Sequence, residues 1–503
     1  MQGLAMYGPE TGAAVRRTWW PLALTGLLAG GCASVGPDFH SPVVATPEQW
    51  SAQHGGDARL AAPAEAAGAL PADRWAAFGD ATLAGLQQAA VMANADVRAA
   101  ALRVLEARAE QRMASAQRGP ALAAEGAVKR QRQSETGAAS RMVNALGGAN
   151  SAPLLRLLSE PFTLYDAGFD ASWEPDLWGR VARSDEAARA SADAQAALLR
   201  QARLGLKAEV ARSYFQVRLT QRQLQLLDQE QAAVAQSVAL LEAQVRNGLA
   251  DESALLRQRQ QLAALAAALP GVRAQQTQAL NQLTLLCALA PGALNERLGS
   301  EAEAAAAPVE LPDLQLGLPA ALARRRPDIA AAEARLHAAT ASIGVAAADL
   351  YPRIVLGASF GTESVGSSHF GDWGSRQWSV GPSLSLPLFD RGRRRANVEL
   401  RTLQQQEAAV AFQQAVLKAW HEVDDAVSGY VAESQRQRQL QQRAEAAQSE
   451  QRLARTRQQQ GLSSALPVLA DTAQALEAQR ELADSRARRQ TALAAVYKAL
   501  GED

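Results

Sequence analysis

Hydrophobic residues follow two different periods along this chain of 503 residues. Between residues 180 and 247, apolar side chains recur every seven positions, and a second series runs parallel to the first at the same spacing. The two series are Val210, Val217, Leu224, Val238 and Val245, and Leu227, Val234 and Leu241. A seven-residue repeat predicts helices that pack along a narrow seam. The segment has no proline and a single glycine, so we predict one helix over residues 180–247, about 100 Å long.

Shorter segments alternate between apolar and polar residues, which is the period of a strand with one dry face and one wet face. The clearest example lies within residues 376–389, where Trp378, Val380 and Leu384 are separated by serine, glycine and proline. A similar alternation surrounds Trp173. We predict strands at about residues 120–134, 163–178, 352–364 and 376–389.

The order of these patterns occurs twice. Pro120 matches Pro352 at an offset of 232 positions, and Gly248 matches Gly461 at an offset of 213. Each copy predicts a helix, a strand, a loop, a strand, a long helix, a glycine turn and a final helix, and the loop is longer in the first copy. A repeated order of this kind predicts a tandem duplication.

These patterns divide the chain into five segments. They are a signal peptide at residues 1–31, an extended arm at 32–79, a first repeat at 80–289, a connector at 290–320 and a second repeat at 321–503. The long helix of the second repeat is predicted at residues 393–460. We also expect one helix over residues 80–117, and a kink or break at Pro270-Gly271.

The start of the chain has the pattern of an export signal. Arg16 and Arg17 precede a short apolar run, and small residues stand directly before Cys32. A run of this length is too short to span a membrane and predicts a signal peptide. The small residues predict lipid attachment at Cys32, although Ala29 stands where a lipoprotein signal usually has leucine. The alternative is a buried cysteine in a short apolar helix.

Composition excludes several classes of function. The chain has 51 Lys+Arg and 51 Asp+Glu, so it lacks the basic field that nucleic-acid binding requires. Its five histidines are scattered, without a cysteine companion or a partner one helical turn away. We therefore expect no enzyme, no metal site and no cofactor apart from the covalent lipid on Cys32.

Four strands from one chain cannot close a barrel, because the smallest closed barrels use about eight. An open sheet edge has no hydrogen-bonding partner in hydrocarbon. If the strands cross a membrane, several copies of the chain must therefore share one barrel. The alternative is a periplasmic or surface lipoprotein scaffold of long coiled-coil helices with a small soluble sheet.

Several residue runs resemble those of a known family. They are Val35–Phe39, Trp75–Asp80, Trp173-Glu174 with Asp176–Arg180, Arg325–Ile329, and Leu384–Arg393. The chain is similar to the outer-membrane factor (outer-membrane efflux protein) family of tripartite efflux systems, and to its lipoprotein branch that partners resistance-nodulation-division pumps.

The resemblance implies an α+β membrane protein in which each chain contributes four strands to a trimeric 12-stranded barrel, continued by a 12-helix periplasmic α-barrel. It implies a passive channel, lipid-anchored in the outer membrane and extending into the periplasm, that exports small molecules such as drugs and toxic compounds. The implied partners are two further copies of the chain, a periplasmic adaptor protein, an inner-membrane resistance-nodulation-division pump and outer-membrane lipids, with no nucleic acid.

The resemblance also assigns adaptor-contact tips. In the family, the turns between paired helices form the periplasmic entrance and contact the adaptor. The matching turns are Gly248-Leu249 and Gly461-Leu462. The alternative is that each glycine serves only as a turn residue, since glycine readily adopts the left-handed conformation.

A periplasmic gate residue is implied near the second tip. Family members often have an aspartate nine residues after the second tip glycine, where carboxylates narrow the pore. Here that position is Ala470, and Asp471 follows it. One position rotates a helical side chain by about 100°. Asp471 is therefore either the gate residue or, alternatively, a member of a surface ion pair.

Overall fold

The computed structural model describes residues 34–42, 74–137, 141, 143, 145, 151–298 and 326–501. The chain forms two compact units. One contains the start of the described chain up to Phe39 together with residues 109–189 and 337–405, and the other contains the remaining described residues. Within these ranges, no helix combines the length and the apolar character needed to cross a bilayer.

Within its described residues, the first repeat contains seven helices and strands. They are α1 (Ala81–Ala93), α2 (Ala95–Ala116), β1 (Ala121–Gln131), α3 (Ser151–Ser159), β2 (Phe162–Trp173), α4 (Arg180–Arg246) and α5 (Glu252–Leu286), the short α3 lying in the loop between the strands. A single turn of helix, α6 (Asn295–Leu298), follows. At about 1.5 Å per residue, the 67 residues of α4 extend about 100 Å.

The second repeat has the same order. Its elements are α7 (Pro327–Ala348), β3 (Arg353–Ser364), β4 (Arg376–Ser385), α8 (Arg393–Gln459) and α9 (Ala465–Leu500). Helices α2 and α7 begin 232 positions apart, as do strands β1 and β3, whereas α4 and α8 begin 213 apart. The α+β fold and its tandem duplication are confirmed.

The four strands form one antiparallel sheet in chain order, β1-β2-β3-β4. Strand β2 pairs with β3 at Phe169 and Phe360, so the two repeats join in the middle of the sheet. Strands β1 and β4 are its two edges. The β1–β2 and β3–β4 pairs each form within one repeat, whereas the β2–β3 pair requires both repeats.

The strands end earlier than predicted. Strand β2 stops at Trp173 rather than 178, and β4 stops at Ser385 rather than 389. Pro175 and Pro387 lie just beyond these ends, and proline has no backbone N–H to donate to a ladder. Strand β1 covers Ala121–Gln131, three residues short of its predicted end.

The helix predicted over residues 80–117 is broken at Asn94. The backbone of Asn94 is extended, and its side-chain oxygen accepts hydrogen bonds from the backbone N–H groups of Asp96 and Val97. Its side-chain nitrogen donates to the Leu286 carbonyl at 3.1 Å. Asparagine is a preferred N-cap residue, so Asn94 ends one helix, starts the next and ties both to α5.

Pro270 does not break α5, which runs from Glu252 to Leu286 with the proline inside it. The prediction of a break there is wrong. The flanking residues Leu265, Leu269 and Val272 pack with Leu227 and Val234 of α4. Packing of an apolar face supplies most helical stability in proteins, and we attribute the continuity of α5 to it.

The end of the predicted arm belongs to the core. Residues Arg74–Phe78 form a turn of 3-10 helix, and Trp75 and Phe78 are buried. Their rings contact Tyr497 of α9, at centroid distances of 6.0 and 5.9 Å. Buried aromatic side chains contribute large apolar areas, and this segment packs into a core that contains residues of both repeats. The segment of the predicted connector from 299 to 320 lies outside the described residues.

A buried arginine joins three parts of the second unit. Arg326, whose side chain is 6% exposed, bonds Asp328 at 2.7 Å, Glu422 of α8 at 2.5 Å and the Ala499 carbonyl of α9 at 2.7 Å. Burial lowers the pKa of this guanidinium, but the bonds to Asp328 and Glu422 outweigh it, so the pKa lies above its ordinary value. The charge is therefore retained inside the protein.

Replacing Arg326 is expected to destabilise the second unit. The Arg326→Leu change removes the donor to the Ala499 carbonyl and to Asp328, and leaves Glu422 with Lys418 at 3.7 Å. Because both carboxylates are partly exposed, the cost is less than that of a fully buried pair, which is about 3–5 kcal/mol. Thermal unfolding of the purified protein followed by circular dichroism should shift to lower temperature. The control is Arg335→Leu on α7, an exposed arginine. Equal unfolding temperatures for the two variants would contradict this role.

Candidate functional site

One face of the sheet is apolar and exposed. Two neighbouring rows on it, read across the four strands, are Ala124, Phe169, Phe360 and Trp378, and then Leu122, Ala171, Ala358 and Val380. The large side chains in both rows are exposed. An extended exposed apolar surface indicates contact with a membrane or a partner.

The opposite face is polar and consists mainly of small side chains. Two of its rows are Ala123, Asp170, Ser359 and Ser379, and Glu125, Gly168, Gly361 and Gln377. The Gln377 amide reaches over Gly361 and donates to Asp166 at 3.2 Å. A Cβ at Gly361 would lie 2.8 Å from the Ala167 carbonyl oxygen, so the glycine permits the close approach of β2 and β3. The sheet thus has the two faces of a wall between lipid and water.

Charged and aromatic groups line a cleft at the helix end of the sheet. Glu174 bonds Arg180 at 2.9 Å and Arg353 at 2.8 Å. Burial raises the pKa of Glu174, but the two arginines outweigh it and hold the pKa below its ordinary value. The Trp178 ring stacks on Tyr351 at 4.8 Å. Because Arg353 begins β3 and Glu174 follows β2, the ion pairs fix the two strand ends together.

The first described residues dock against this region. The Val35 N–H donates to the Trp178 carbonyl at 3.1 Å, and Asp38 accepts from Arg183 at 2.5 Å. The Phe39 ring stacks on His337 at 4.3 Å. The sequence predicted only an extended arm here. The Val35–Phe39 run, which resembles the family, was the one feature that could have indicated docking. Cys32, three positions before Val35, lies outside the described residues.

The two predicted tips have the same backbone geometry. Gly248 has φ +69° and Gly461 has φ +73°. At the first tip, the Leu249 N–H donates to the Gln244 carbonyl, and at the second the Leu462 N–H donates to the Arg457 carbonyl, both at 2.8 Å. This six-residue bond pattern, with glycine in the left-handed conformation, is the Schellman motif that ends many helices.

The leucines after the tip glycines are exposed. Leu249 is 78% exposed and Leu462 is 73% exposed. The residue at this place in a Schellman motif often packs back on its helix, but here the helix positions are the polar Gln244 and Arg457. Behind the tips, Leu466 of the second hairpin packs with Leu255 of the first. The two hairpins therefore pack against each other just behind the predicted tips.

Asp471 lies in the second turn of α9. It is half-buried, whereas the preceding Ala470 is exposed. Four positions on a helix differ by about 40°, so Asp471 lies on the side of α9 where Ala475 packs against Ala444 and Ala447 of α8. Within the described ranges, the Asp471 carboxylate makes no ion pair.

Comparison with known proteins agrees with this geometry. The family model described as outer membrane efflux protein matches residues 86–288 and 318–502. The chain is 32% identical over 504 residues to the outer membrane protein OprJ of Pseudomonas aeruginosa, covering 95% of this chain and 94% of the relative. It is 30% identical over 482 residues to the cation efflux system protein CusC of Escherichia coli, covering 95% and 96%.

The structure is also similar to a solved one. The outer-membrane channel OprN superposes with a TM-score of 0.78 and 29% identity, covering 93% of this chain and 99% of that chain. The family resemblance drawn from the sequence is confirmed, as is the expectation that the protein is not an enzyme. The chain belongs to the outer membrane efflux protein family.

Proposed function

We propose that three copies of this chain form a passive outer-membrane channel that carries small molecules outward from an inner-membrane pump. The observation that carries the proposal is the two-faced sheet with free edges at β1 and β4. Its strands have 10 to 12 residues, close to the length that crosses an outer membrane. Pairing β4 of one copy with β1 of the next removes both edges, and the number three follows from the family.

The scaffold alternative does not account for this sheet. A small soluble sheet buries its apolar face, whereas Phe360, Trp378 and Val380 are exposed here. The name of the relative CusC refers to cation efflux. We propose small-molecule export for this chain, with substrate choice left to the pump.

Lipid attachment at Cys32 is part of the proposal. The docked segment from Val35 to Phe39 supports it, because the Val35 N–H is bonded to Trp178, close to the end of β2. A signal-processed chain would begin three residues before this anchored point. The acyl chains would then enter the leaflet next to the sheet, beside the Trp178–Tyr351 pair.

We propose that the tips are the adaptor-contact surface. Two exposed leucines on rigid turns offer an apolar contact, and the Asp251 side chain caps α5 directly beside the first tip. Partner contact would remove Leu249 and Leu462 from water. The partners inferred are a periplasmic adaptor and, through it, a resistance-nodulation-division pump.

A charge on the apolar sheet face should block assembly. Val380→Arg places a guanidinium on that face near the middle of β4, which costs about 2–4 kcal/mol in a transmembrane barrel. Ser379→Arg, one residue away on the polar face, is the matched control. We expect heat-modifiable trimer in outer-membrane fractions for the Ser379 variant and much less for the Val380 variant. The reverse order, or equal trimer levels, would show that the face does not contact lipid.

Charges at the tips should uncouple the channel from its pump. The combined Leu249→Arg and Leu462→Arg changes are expected to abolish efflux in cells while leaving trimer yield and single-channel conductance unchanged. Leu157→Arg, an exposed leucine of α3, is the control and should retain efflux. If cells with the tip variant accumulate drug or dye no more than cells with the wild type, the two leucines do not contact the adaptor.

Asp471 is proposed to contribute to a periplasmic gate. If its carboxylate reaches the pore, Asp471→Asn should weaken the block that multivalent cations produce from the periplasmic side in planar bilayers, about tenfold for a loss of about 1.4 kcal/mol per site. The control is Asp484→Asn, further along α9 and paired with Arg488. An unchanged block by cations in Asp471→Asn would assign Asp471 to contact with α8 instead.

A further inference from the structure

The segment between β4 and α8 exposes a run of apolar side chains. Leu384, Leu386, Leu388 and Phe389 are 68%, 46%, 88% and 84% exposed. Leu384 lies on the apolar sheet face, so the run continues that face beyond the end of the strand. Because the run is continuous with the sheet face that is proposed to contact lipid, we expect side chains as far as Phe389 to contact lipid as well.

Arginines follow this run immediately. Arg391, Arg393 and Arg395 are exposed, and within the described chain none of the three makes a side-chain hydrogen bond or ion pair. Arg394 differs, because it bonds the Asp349 carbonyl and lies 3.6 Å from Asp390. The Asp390 carboxylate also accepts from the backbone N–H groups of Gly392 and Arg394. The carboxylate adjacent to Arg391 is thus already engaged, and in the described chain no carboxylate lies within ion-pair distance of the three guanidinium groups.

The matching junction of the first repeat is covered. Gly179 and Gly392 are 213 positions apart, and both have positive φ, +76° and +83°. A Cβ at Gly179 would lie 2.6 Å from the Ser34 hydroxyl oxygen, whereas a Cβ at Gly392 would meet nothing within 4 Å. The glycine at this junction is therefore covered by the docked chain start in one repeat and open in the other.

The spacing fits the edge of a bilayer. Phe389 and Arg391 are two positions apart, so at most about 7 Å separates their Cα atoms. The polar layer on each side of the hydrocarbon core is about 5–7 Å thick. An apolar run that ends at Phe389 therefore places the arginines at the depth of the headgroup phosphates.

We infer that Arg391, Arg393 and Arg395 bind the headgroup of an anionic phospholipid in the periplasm-facing leaflet. The inference rests on the proposed membrane position of the sheet. Charge complementarity selects this occupant over a second copy of the chain. The segment that leads into β1, the proposed neighbour of β4, carries Arg118, whose bonding partner Asp185 also bonds Arg189. This segment would bring a further positive charge, and residues 111–124 contain no aspartate or glutamate.

The test compares two triple variants. Purified trimers in micelles containing phosphatidylglycerol or phosphatidylcholine are analysed by native mass spectrometry for retained lipid. Basic residues at an anionic lipid surface contribute about fivefold each, so Arg391→Gln with Arg393→Gln and Arg395→Gln should reduce phosphatidylglycerol retention at least about tenfold. The control is Arg438→Gln with Arg455→Gln and Arg457→Gln, which removes the same charge from exposed positions of α8 without a side-chain partner in the described chain. It should retain phosphatidylglycerol as the wild type does.

Four results would overturn the lipid site, and the first three concern lipid retention. They are equal phosphatidylglycerol retention by both triple variants, equal retention of phosphatidylcholine by the wild type, and displacement by millimolar inorganic phosphate, which would mean a site for a free anion. Loss of the trimer in the first variant would instead assign the arginines to a contact between copies, and also overturns it. Conductance of the wild type in phosphatidylcholine bilayers distinguishes failure of the lipid site from failure of the proposed function. A wild type that does not conduct would refute the channel itself.

Discussion

The unpaired backbone at the two edges of a four-stranded sheet is the constraint on which this molecule depends. In hydrocarbon each free N–H and C=O group costs several kcal/mol, because no water is present to bond it. Strands β1 and β4 are both edges. Their apolar face cannot be buried within the sheet's own chain, since its large side chains remain exposed. The sheet can therefore lie in a membrane only if its edges pair with other copies of the chain. A single chain cannot satisfy them.

The long helices α4 and α8 also depend on contacts with neighbouring helices rather than on a core of their own. Helices α4 and α8 have 67 residues each, and the burial of α4 changes along its length. Residues 204–221 are buried on nearly all sides by the core that contains Val210 and Val217, whereas over residues 227–241 the buried side chains, Val234 among them, form a narrow stripe. A stripe is enough for a wall one helix thick, wet on both sides, whereas a globular core needs a wider apolar face. Polar groups such as Gln and Arg then cover the rest of each helix.

Sequence patterns predicted the parts of this fold that depend on period and symmetry, and missed those that depend on a single tertiary contact. The seven-residue repeat located α4, and the two glycines located both tips. The break at Asn94 was not predictable, because it requires the Leu286 carbonyl as a partner. The continuity of α5 through Pro270 was missed for a similar reason, since the packing that holds it comes from α4. The burial of Trp75 in the core was missed because the residues before it are rich in proline, and that composition predicts an extended arm.

The two junctions between sheet and helix occupy matching positions of the duplicated repeats, yet their surfaces are opposite. Trp178 in the first repeat corresponds to Arg391 in the second at the 213-position offset. Trp178 stacks on Tyr351 and donates to the Pro352 carbonyl, so its ring is held within the protein. Arg391 has φ +54°, an uncommon conformation for a residue other than glycine, and its side chain points outward into an exposed position. Trp178 does not share this positive φ, so the second junction differs from the first in backbone as well as in side chain at this position. The second junction therefore lacks the contact that closes the first. The environment outside the chain must then balance that charge.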